Sequence, residues 1–350
     1  MPLASELGFE WGRPTRTLLY GKDKSKKTWW ACKAAEAGFN VVLIDGDDGS
    51  SITKNLPIEA RKRILIVDAV DNQKKAVFSQ FMASFLKPGN VFVWDEQGKT
   101  TVPSSKVPDP EHSYIMFNPE HLTTNEVIIV DSWTSLADST KQQFAAETGY
   151  DLIAVEREGD QFGLPNFQAR YLDWVLSKLH TLPCHVIVVG HEQIWEKYKG
   201  QGRDRKVVGT YTQPYSSTGP HAQKLGKHFE NVLHFYKLSD SAYRISTVGD
   251  DSTAAGSRLI SPNRYEWDKI TPNDLFEAVG SVATGAPNRG AVFVPRGGVL
   301  RVETPVKINN SEIPALTNDA SATAQVLDGS KVSEVKGLSL AEKIKLRKAN

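Results

Sequence analysis

One stretch constrains this chain more than any other, Tyr20-Gly21-Lys22-Asp23-Lys24-Ser25-Lys26-Lys27-Thr28. It follows the apolar run Thr17-Leu18-Leu19-Tyr20 and opens a helix-like segment from Trp29 to Ala37, so it reads as strand, tight loop, helix. With Gly21 as the first glycine of G-x-x-x-x-G-K-[ST], Lys27 falls at the phosphate-binding lysine and Thr28 at the magnesium hydroxyl. Such a loop works because the backbone N–H groups of Gly21, Lys22, Asp23, Lys24, Ser25 and Lys26, with the helix start at Trp29, surround phosphate oxygens while the lysine adds a point charge. Lys26 stands where the second glycine belongs, and a lysine lacks the backbone freedom that glycine supplies there. The competing reading is a solvated, lysine-rich surface turn.

Beyond that helix the chain settles into a β-α-β rhythm. Gly38 sits where a left-handed helix cap belongs, and Asn40-Val41-Val42-Leu43-Ile44-Asp45 is a continuous apolar run ending in an acid, the mark of a buried parallel strand. Another strand is expected over Ile64 to Asp68, with Asp71 capping a helix on which Val77, Phe81 and Phe85 recur at helical spacing. From 91 to 125 the rhythm breaks. Val91 to Trp94 and Thr100 to Val102 flank Glu96-Gln97-Gly98-Lys99, a hairpin followed by a proline-rich excursion, which reads as an insertion decorating the core. The parallel pattern resumes with Val127 to Asp131, helices from about Trp133 to Glu147 and Phe167 to Leu182, and the strand His185 to Gly190. A long polar loop is expected from Glu192 to about Leu225, then late strands over Val232 to Tyr236 and Tyr243 to Thr247. Phe9 and Trp11 belong to an N-terminal arm. Residues 1–280 thus form the α/β domain, 281–330 a flexible linker rich in small and polar residues, and 331–350 a short basic helix in which Ser339-Leu340-Ala341-Glu342 has capping-box form.

Composition narrows the classes. With 42 Lys+Arg against 41 Asp+Glu the formal net charge is +1, so affinity for nucleic acid needs a local patch. The only cysteines, Cys32 and Cys184, fit a reduced intracellular protein without a disulfide framework or zinc site. The N-terminus lacks a signal pattern and no apolar run approaches the roughly 18 residues of a membrane span, so a cytoplasmic protein without membrane partner is expected.

Four distant features fit the phosphate loop. Val127 to Asp131 is an apolar strand ending in an acid, which would set Asp131 beside Thr28 to hold magnesium through water. Asp45-Gly46-Asp47-Asp48 lies at the C-terminal end of a core strand, the edge where open α/β sheets bind ligands, and a carboxylate there can orient an attacking water. Gly190-His191 delivers an imidazole to the same edge, able to hydrogen-bond a γ-phosphate. Arg258 offers positive charge for developing phosphate charge, in this reading on a neighbouring subunit.

Val-Ile-Ile-Val-Asp131-Ser132 resembles the Walker B segment of RecA-like ATPases, Ile44-Asp45-Gly46-Asp47 the strand end that bears their catalytic glutamate, and Val188-Val189-Gly190-His191 the one that bears their phosphate sensor. The pattern is most similar to compact phage RecA-like ATPases, nucleotide-binding or single-strand-annealing recombination proteins. Their His-Glu strand end, Gly/Pro-rich segment and Phe-x-x-Val-Leu strand are matched by His191-Glu192, Ser216 to Pro220 and Phe229-Glu230-Asn231-Val232-Leu233. Over about residues 14 to 270, the resemblance implies a RecA-like P-loop NTPase fold, a mainly parallel sheet flanked by helices with an inserted hairpin. It implies ATP and Mg2+ as cofactors, Lys27 and Thr28 on phosphate and metal, Asp131 as the magnesium acid, Asp47 as catalytic carboxylate and His191 as sensor. It also implies a DNA-contacting loop after the sensor, where Lys197, Tyr198, Lys199, Arg203, Arg205 and Lys206 supply charge and Trp195, Tyr198 or Tyr211 can stack on unpaired bases. Single-stranded DNA, other copies of the chain and a recombination or replication partner of the tail are the implied partners. Asp47 in place of a longer glutamate and Lys26 in place of glycine depart from the family pattern.

Each feature has a plainer reading: Asp131 as a helix cap before Trp133, the Asp45 to Asp48 acids as a solvated loop, His191 as a satisfied edge histidine, Arg258 as a surface arginine and Lys197 to Lys206 as a soluble loop. Two competing functions remain: a non-hydrolysing single-stranded DNA-binding or annealing module, and a small-molecule kinase, for which no acceptor lid is recognisable.

Overall fold

The computed structural model describes residues 12–72, 75–87, 91–94, 101–104, 113–151, 163–200, 206–216, 219–239, 242–250, 252–288 and 290–295. The N-terminal arm with Phe9 and Trp11, the hairpin tip at Glu96 to Lys99, Arg203, Arg205 and the 331–350 tail lie outside these residues.

The apolar runs become strands of an 11-stranded mixed sheet between two helical layers, with a second, 4-stranded sheet formed by other segments. The strands are β1 (Arg16–Gly21), β2 (Asn40–Asp45), β3 (Ile64–Asp68), β4 (Val91–Trp94), β5 (Thr101–Ser104), β6 (Tyr114–Phe117), β7 (Glu126–Asp131), β8 (His185–Lys199), β9 (Lys206–Pro214), β10 (Asn231–Lys237), β11 (Tyr243–Ser246), β12 (Val248–Asp250), β13 (Thr253–Ser257), β14 (Arg264–Glu266) and β15 (Ala291–Val294). The helices are α1 (Lys27–Cys32), α2 (Ile58–Arg61), α3 (Val77–Phe85), α4 (Trp133–Thr148), α5 (Leu164–Thr181), α6 (Gly219–Leu225) and α7 (Pro272–Glu277). The parallel core runs β3-β2-β7-β8-β1-β10, and β11 and β14 continue it antiparallel.

Strand alternation explains why these segments are apolar throughout. Leu18, Val42, Ile44, Ile128, Val130, Val186 and Val188 face a core built with α3, α4 and α5. Leu19, Val41, Leu43, Val127, Ile129, Ile187 and Val189 face the opposite core with α1, α2 and α7. A strand covered on both faces has no polar side to show.

Local signals set the helix boundaries. Gly38, at φ +98°, ends the α1 segment, with its N–H on the Ala35 carbonyl. Asp71 Oδ1 accepts the Phe78 N–H at 2.8 Å and caps α3. Buried Arg16 donates to the carbonyls of His180, Leu182 and Cys184 at 2.5–3.0 Å, satisfying acceptors that the end of α5 leaves open.

Two expectations are corrected. The segment after Glu192 is not a loop over its first half: β8 runs on past the sheet and pairs antiparallel with β9 from Glu192↔Pro214 to Lys199↔Lys206. Its outer part is exposed on both faces, so no apolar alternation marks it in the sequence. The short strands β12, β13 and β14, between Val248 and Glu266, likewise carry no sequence signal of their own. Nor does the domain end at 280. Ser281 is buried, its Oγ lies 2.8 Å from His185 Nε2, and β15 pairs antiparallel with β6 in a second sheet of order β15-β6-β4-β5. The small, polar composition of 281–290 hid a segment that is held by hydrogen bonds rather than by apolar bulk. The expected β4–β5 hairpin is present, paired Val91↔Ser104 to Trp94↔Thr101.

Among the described residues no helix is long and apolar enough to cross a membrane.

Candidate functional site

The site forms at the C-terminal ends of the parallel strands. Register sets Gly21 beside His191 and Phe235, and Asp45 beside Asp131. Residues far apart in the chain therefore share one sheet edge, where β1, β2 and β7 end and β8 passes out of the parallel core.

β1 ends at Gly21, where a Cβ would lie 2.0 Å from the Phe235 carbonyl oxygen, so only glycine fits. The chain then turns through Lys24 (φ 57°) and Lys26 (φ 67°), both left-handed, and enters α1 at Lys27. Lys26 thus adopts the conformation for which the motif normally uses glycine. Lys27 folds its Nζ back into the turn, 2.9 Å from the Gly21 oxygen, 2.7 Å from the Lys22 oxygen and 3.3 Å from Ser25 Oγ. It is only 6% exposed, which rules out a solvated lysine turn at this position. Burial lowers its pKa to about 8, although Asp131 and Asp23 favour the charged form.

Asp131 faces this loop. Its Oδ2 accepts the Thr28 hydroxyl at 2.5 Å, and Ser132, not Asp131, caps α4 by accepting the Ser135 N–H. At 3% exposure its carboxyl is pushed up to about 7 by burial, with Asp47 and Asp45 adding to the effect and the Thr28 hydrogen bond opposing it.

The neighbouring acids divide their roles. Asp45 accepts the N–H groups of Asp47, Gly49 and Ser50 at 2.6–3.1 Å and is used up in shaping its own turn. Asp48 occupies the turn's left-handed position, at φ 56°. Asp47 is the carboxylate aimed across the site: Ser135 Oγ donates to it, and His191 Nε2 lies 3.4 Å from its Oδ2. Burial pushes Asp47 up, but hydrogen bonds from His191, Ser135 and Ser132 outweigh it and hold the carboxyl below its usual range. His191 Nδ1 sits 2.5 Å from Asp23 Oδ1, a charge contact without hydrogen-bond geometry, so the imidazole bridges the phosphate loop to Asp47 by charge on one side and a hydrogen bond on the other. The Asp47 hydrogen bond raises its pKa against burial and the Lys27 charge.

The next residue, Glu192, pairs with His234 at 2.9 Å; both are nearly buried, and His234 stacks on Tyr20 with ring centroids 4.6 Å apart. This pair anchors the base of the β8–β9 hairpin. Beside it a cavity of 390 Å³ is lined by Lys22, Glu192, Ile194, His234 and Asp250 among others. Farther out, Lys197, Tyr198, Lys199 and Lys206 are exposed together with Ile194, Trp195, Val207 and Val208.

Arg258 is not brought to the site within one chain. It follows Ser257, which pairs with Asn231 at the start of β10, whereas the site lies at the far end of that strand, about 13 Å along it. Ser135, Glu192 and His234 were missed as site residues, as was the pairing of Asp23 with His191. Only the Ser-x-x-Ser cap opening α4 marked Ser135 in the sequence.

The residues fit a magnesium nucleotide. Thr28 and Asp131 offer hard oxygen donors, and Lys27 carries a buried charge resting on neutral carbonyls, for which phosphate supplies a counterion.

No protein-family model and no curated protein sequence matches the chain. Among solved structures it is similar to the RadB recombinase, with a TM-score of 0.33 and 16% identity over 67% of this chain and 81% of that one. A likeness of that size leaves the case to the site's own geometry.

Proposed function

We propose that this protein is a RecA-like P-loop ATPase that couples magnesium-dependent ATP hydrolysis to single-stranded DNA in recombination or replication, in a phage context. The observation that carries this reading is the meeting of Lys27, Thr28, Asp131, Asp47 and His191 at one sheet edge from four separate strand ends.

Bound Mg2+ and ATP supply the scissile phosphoanhydride and the cation that spreads its charge. Lys27 exchanges its carbonyl contacts for phosphate oxygens, and its ammonium is favoured again once that countercharge is present. Thr28 and Asp131, already joined, would hold the metal. Asp47, ionised at neutral pH, orients water, while Ser135 and His191 fix its direction. His191 links Asp47 to Asp23 in the loop and begins the hairpin whose outer cations face solvent, a direct route from phosphate occupancy to a DNA-binding element.

The test is ATP affinity and turnover of Lys27→Ala, with and without single-stranded DNA. Loss of both is expected, because the substitution removes the buried ammonium that the loop holds for phosphate. Unchanged binding and turnover would sink the assignment. The annealing-module reading draws on Lys26 at the glycine position and on a short carboxylate, Asp47, already held by Ser135 and His191. It predicts that wild-type protein binds ATP and DNA without turnover.

A further inference from the structure

Lys26 caps the N-terminus of α1 with φ 67° and ψ 17°. For a residue with a Cβ that conformation is unfavourable, which is why phosphate loops put glycine there. The Lys26 side chain does not point toward the loop. Its Nζ lies 4.2 Å from the centroid of the Trp267 ring, 4.6 Å from that of Tyr243 and 6.0 Å from that of Trp29. Tyr243 opens β11 and Trp267 follows β14, and the Trp267 N–H donates to the Tyr243 carbonyl at 3.3 Å, so these two rings belong to one fixed corner of the sheet. Trp29 meets Trp267 edge-on at 4.8 Å, and Lys33 covers Trp29 from 4.9 Å. Among the described residues no carboxylate forms a salt bridge with Lys26.

We propose that this aromatic cage takes the place of the missing glycine: attraction between the ammonium and the ring faces holds Lys26 in its left-handed conformation and keeps the loop shaped for phosphate. The inference rests on the nucleotide reading of the loop. Lys26 and Trp267 are positioning residues, since they act through the backbone that Lys27 follows. The outer antiparallel strands thereby set the phosphate loop's conformation, a dependence that a glycine loop does not have.

A double-mutant cycle tests the cage. Affinity for a non-hydrolysable ATP analogue is measured on wild type, Trp267→Leu, Lys26→Gly and the double variant, and urea unfolding is followed on the same proteins without nucleotide. Trp267→Leu should weaken binding about fivefold in the wild-type background, the worth of one such contact, and by much less with Gly at 26, where no cation needs holding. Lys26→Met, which keeps the side-chain length and loses the charge, should weaken binding by a similar factor, and Lys26→Arg should recover most of that loss. Equal losses from Trp267→Leu in both backgrounds, or none in either, would overturn the proposal. Coupling in unfolding without coupling in binding would overturn it too, since the cage would then be structural alone. Lys27→Ala separates the two readings. If that variant binds the analogue like wild type, or if wild type does not bind it, the nucleotide assignment fails. The unfolding cycle still decides whether Trp267 holds Lys26.

Discussion

A buried lysine and a buried aspartate face each other across the phosphate loop, and burial works against both charges: Lys27 is drawn down to about 8 and Asp131 up to about 7. Gly21 lets the start of this loop lie against the Phe235 carbonyl. Gly21→Ala drives a Cβ into the Phe235 carbonyl, and unfolding stability should fall by about 3 kcal/mol, the scale of core overpacking, in urea titrations. The His191 bridge gives a pH signature. Its pKa is raised, so its ion pairs contribute most below the imidazole's ordinary value and are lost as pH rises through the raised one. Asp47 is lowered, so its contribution is lost only as pH falls through that lowered value. The stability difference between wild type and His191→Gln should therefore be widest at mildly acidic pH and shrink above neutrality, and a gap independent of pH would contradict the bridge. Asp131 and His191 could be placed at this sheet edge from the sequence because each lies at or just after the end of an apolar run, and Lys27 and Thr28 because the loop's spacing carries them to the start of the helix that follows. The division of labour among Asp45, Asp47 and Asp48 was not, since it depends on which backbone N–H groups the turn directs at Asp45. The partners of Lys26 were not legible either, because Trp267 lies far away in sequence, just after a strand too short to read.

At the scale of elements, the parallel strands were readable from their continuous apolar runs, and the β8–β9 hairpin was not. Its residues alternate in direction but meet solvent on either side, so burial never selected a pattern. The hairpin carries Lys197 over the Tyr211 ring at 5.4 Å and shows Trp195 and Tyr198 to solvent, a mixture suited to unpaired bases on a charged backbone. Replacing Lys197, Lys199, Arg203 and Arg205 together by Ala should weaken single-stranded DNA binding. It should also flatten the plot of log affinity against log salt by about 3, if each cation neutralises one phosphate. Basal ATP binding should persist, as none of these residues belongs to the Gly21 to Thr28 loop. An unaltered salt slope would move the DNA site elsewhere.

For the whole molecule, the question is where the folded unit ends. Arg258 lies at the end of the sheet opposite the site; if it serves a phosphate at all it must do so on another copy, in which case size analysis with ATP analogue and DNA should show oligomers, and a monomer with full turnover would contradict that role. The chain after Gly280 is a stronger case, because its contacts are specific. Asn40 Nδ2 and Asn125 Nδ2 both donate to the Ala286 carbonyl, at 2.7 and 3.3 Å, and Asn125 Oδ1 accepts the Thr284 N–H at 2.7 Å. Buried His185, whose imidazole burial drives down to about 3, relies on Ser281 at Nε2. Ending the chain at Gly280 would strip partners from Asn40, Asn125 and His185 and expose the β6 edge that β15 covers. An unsatisfied buried polar group costs about 1–3 kcal/mol, so this truncation should lower unfolding free energy by at least about 3 kcal/mol. Ending the chain at Ser330 removes the tail, where Lys331, Lys336, Lys343, Lys345, Arg347 and Lys348 outnumber Glu334 and Glu342. If that tail recruits DNA or an acidic partner by charge, its loss should leave the urea midpoint and basal ATPase unchanged while weakening recruitment most at low salt, where screening is least. The two truncations together locate the boundary. A stable Gly280 form would return 281–295 to the linker, and an unfolded Ser330 form would make the tail part of the domain.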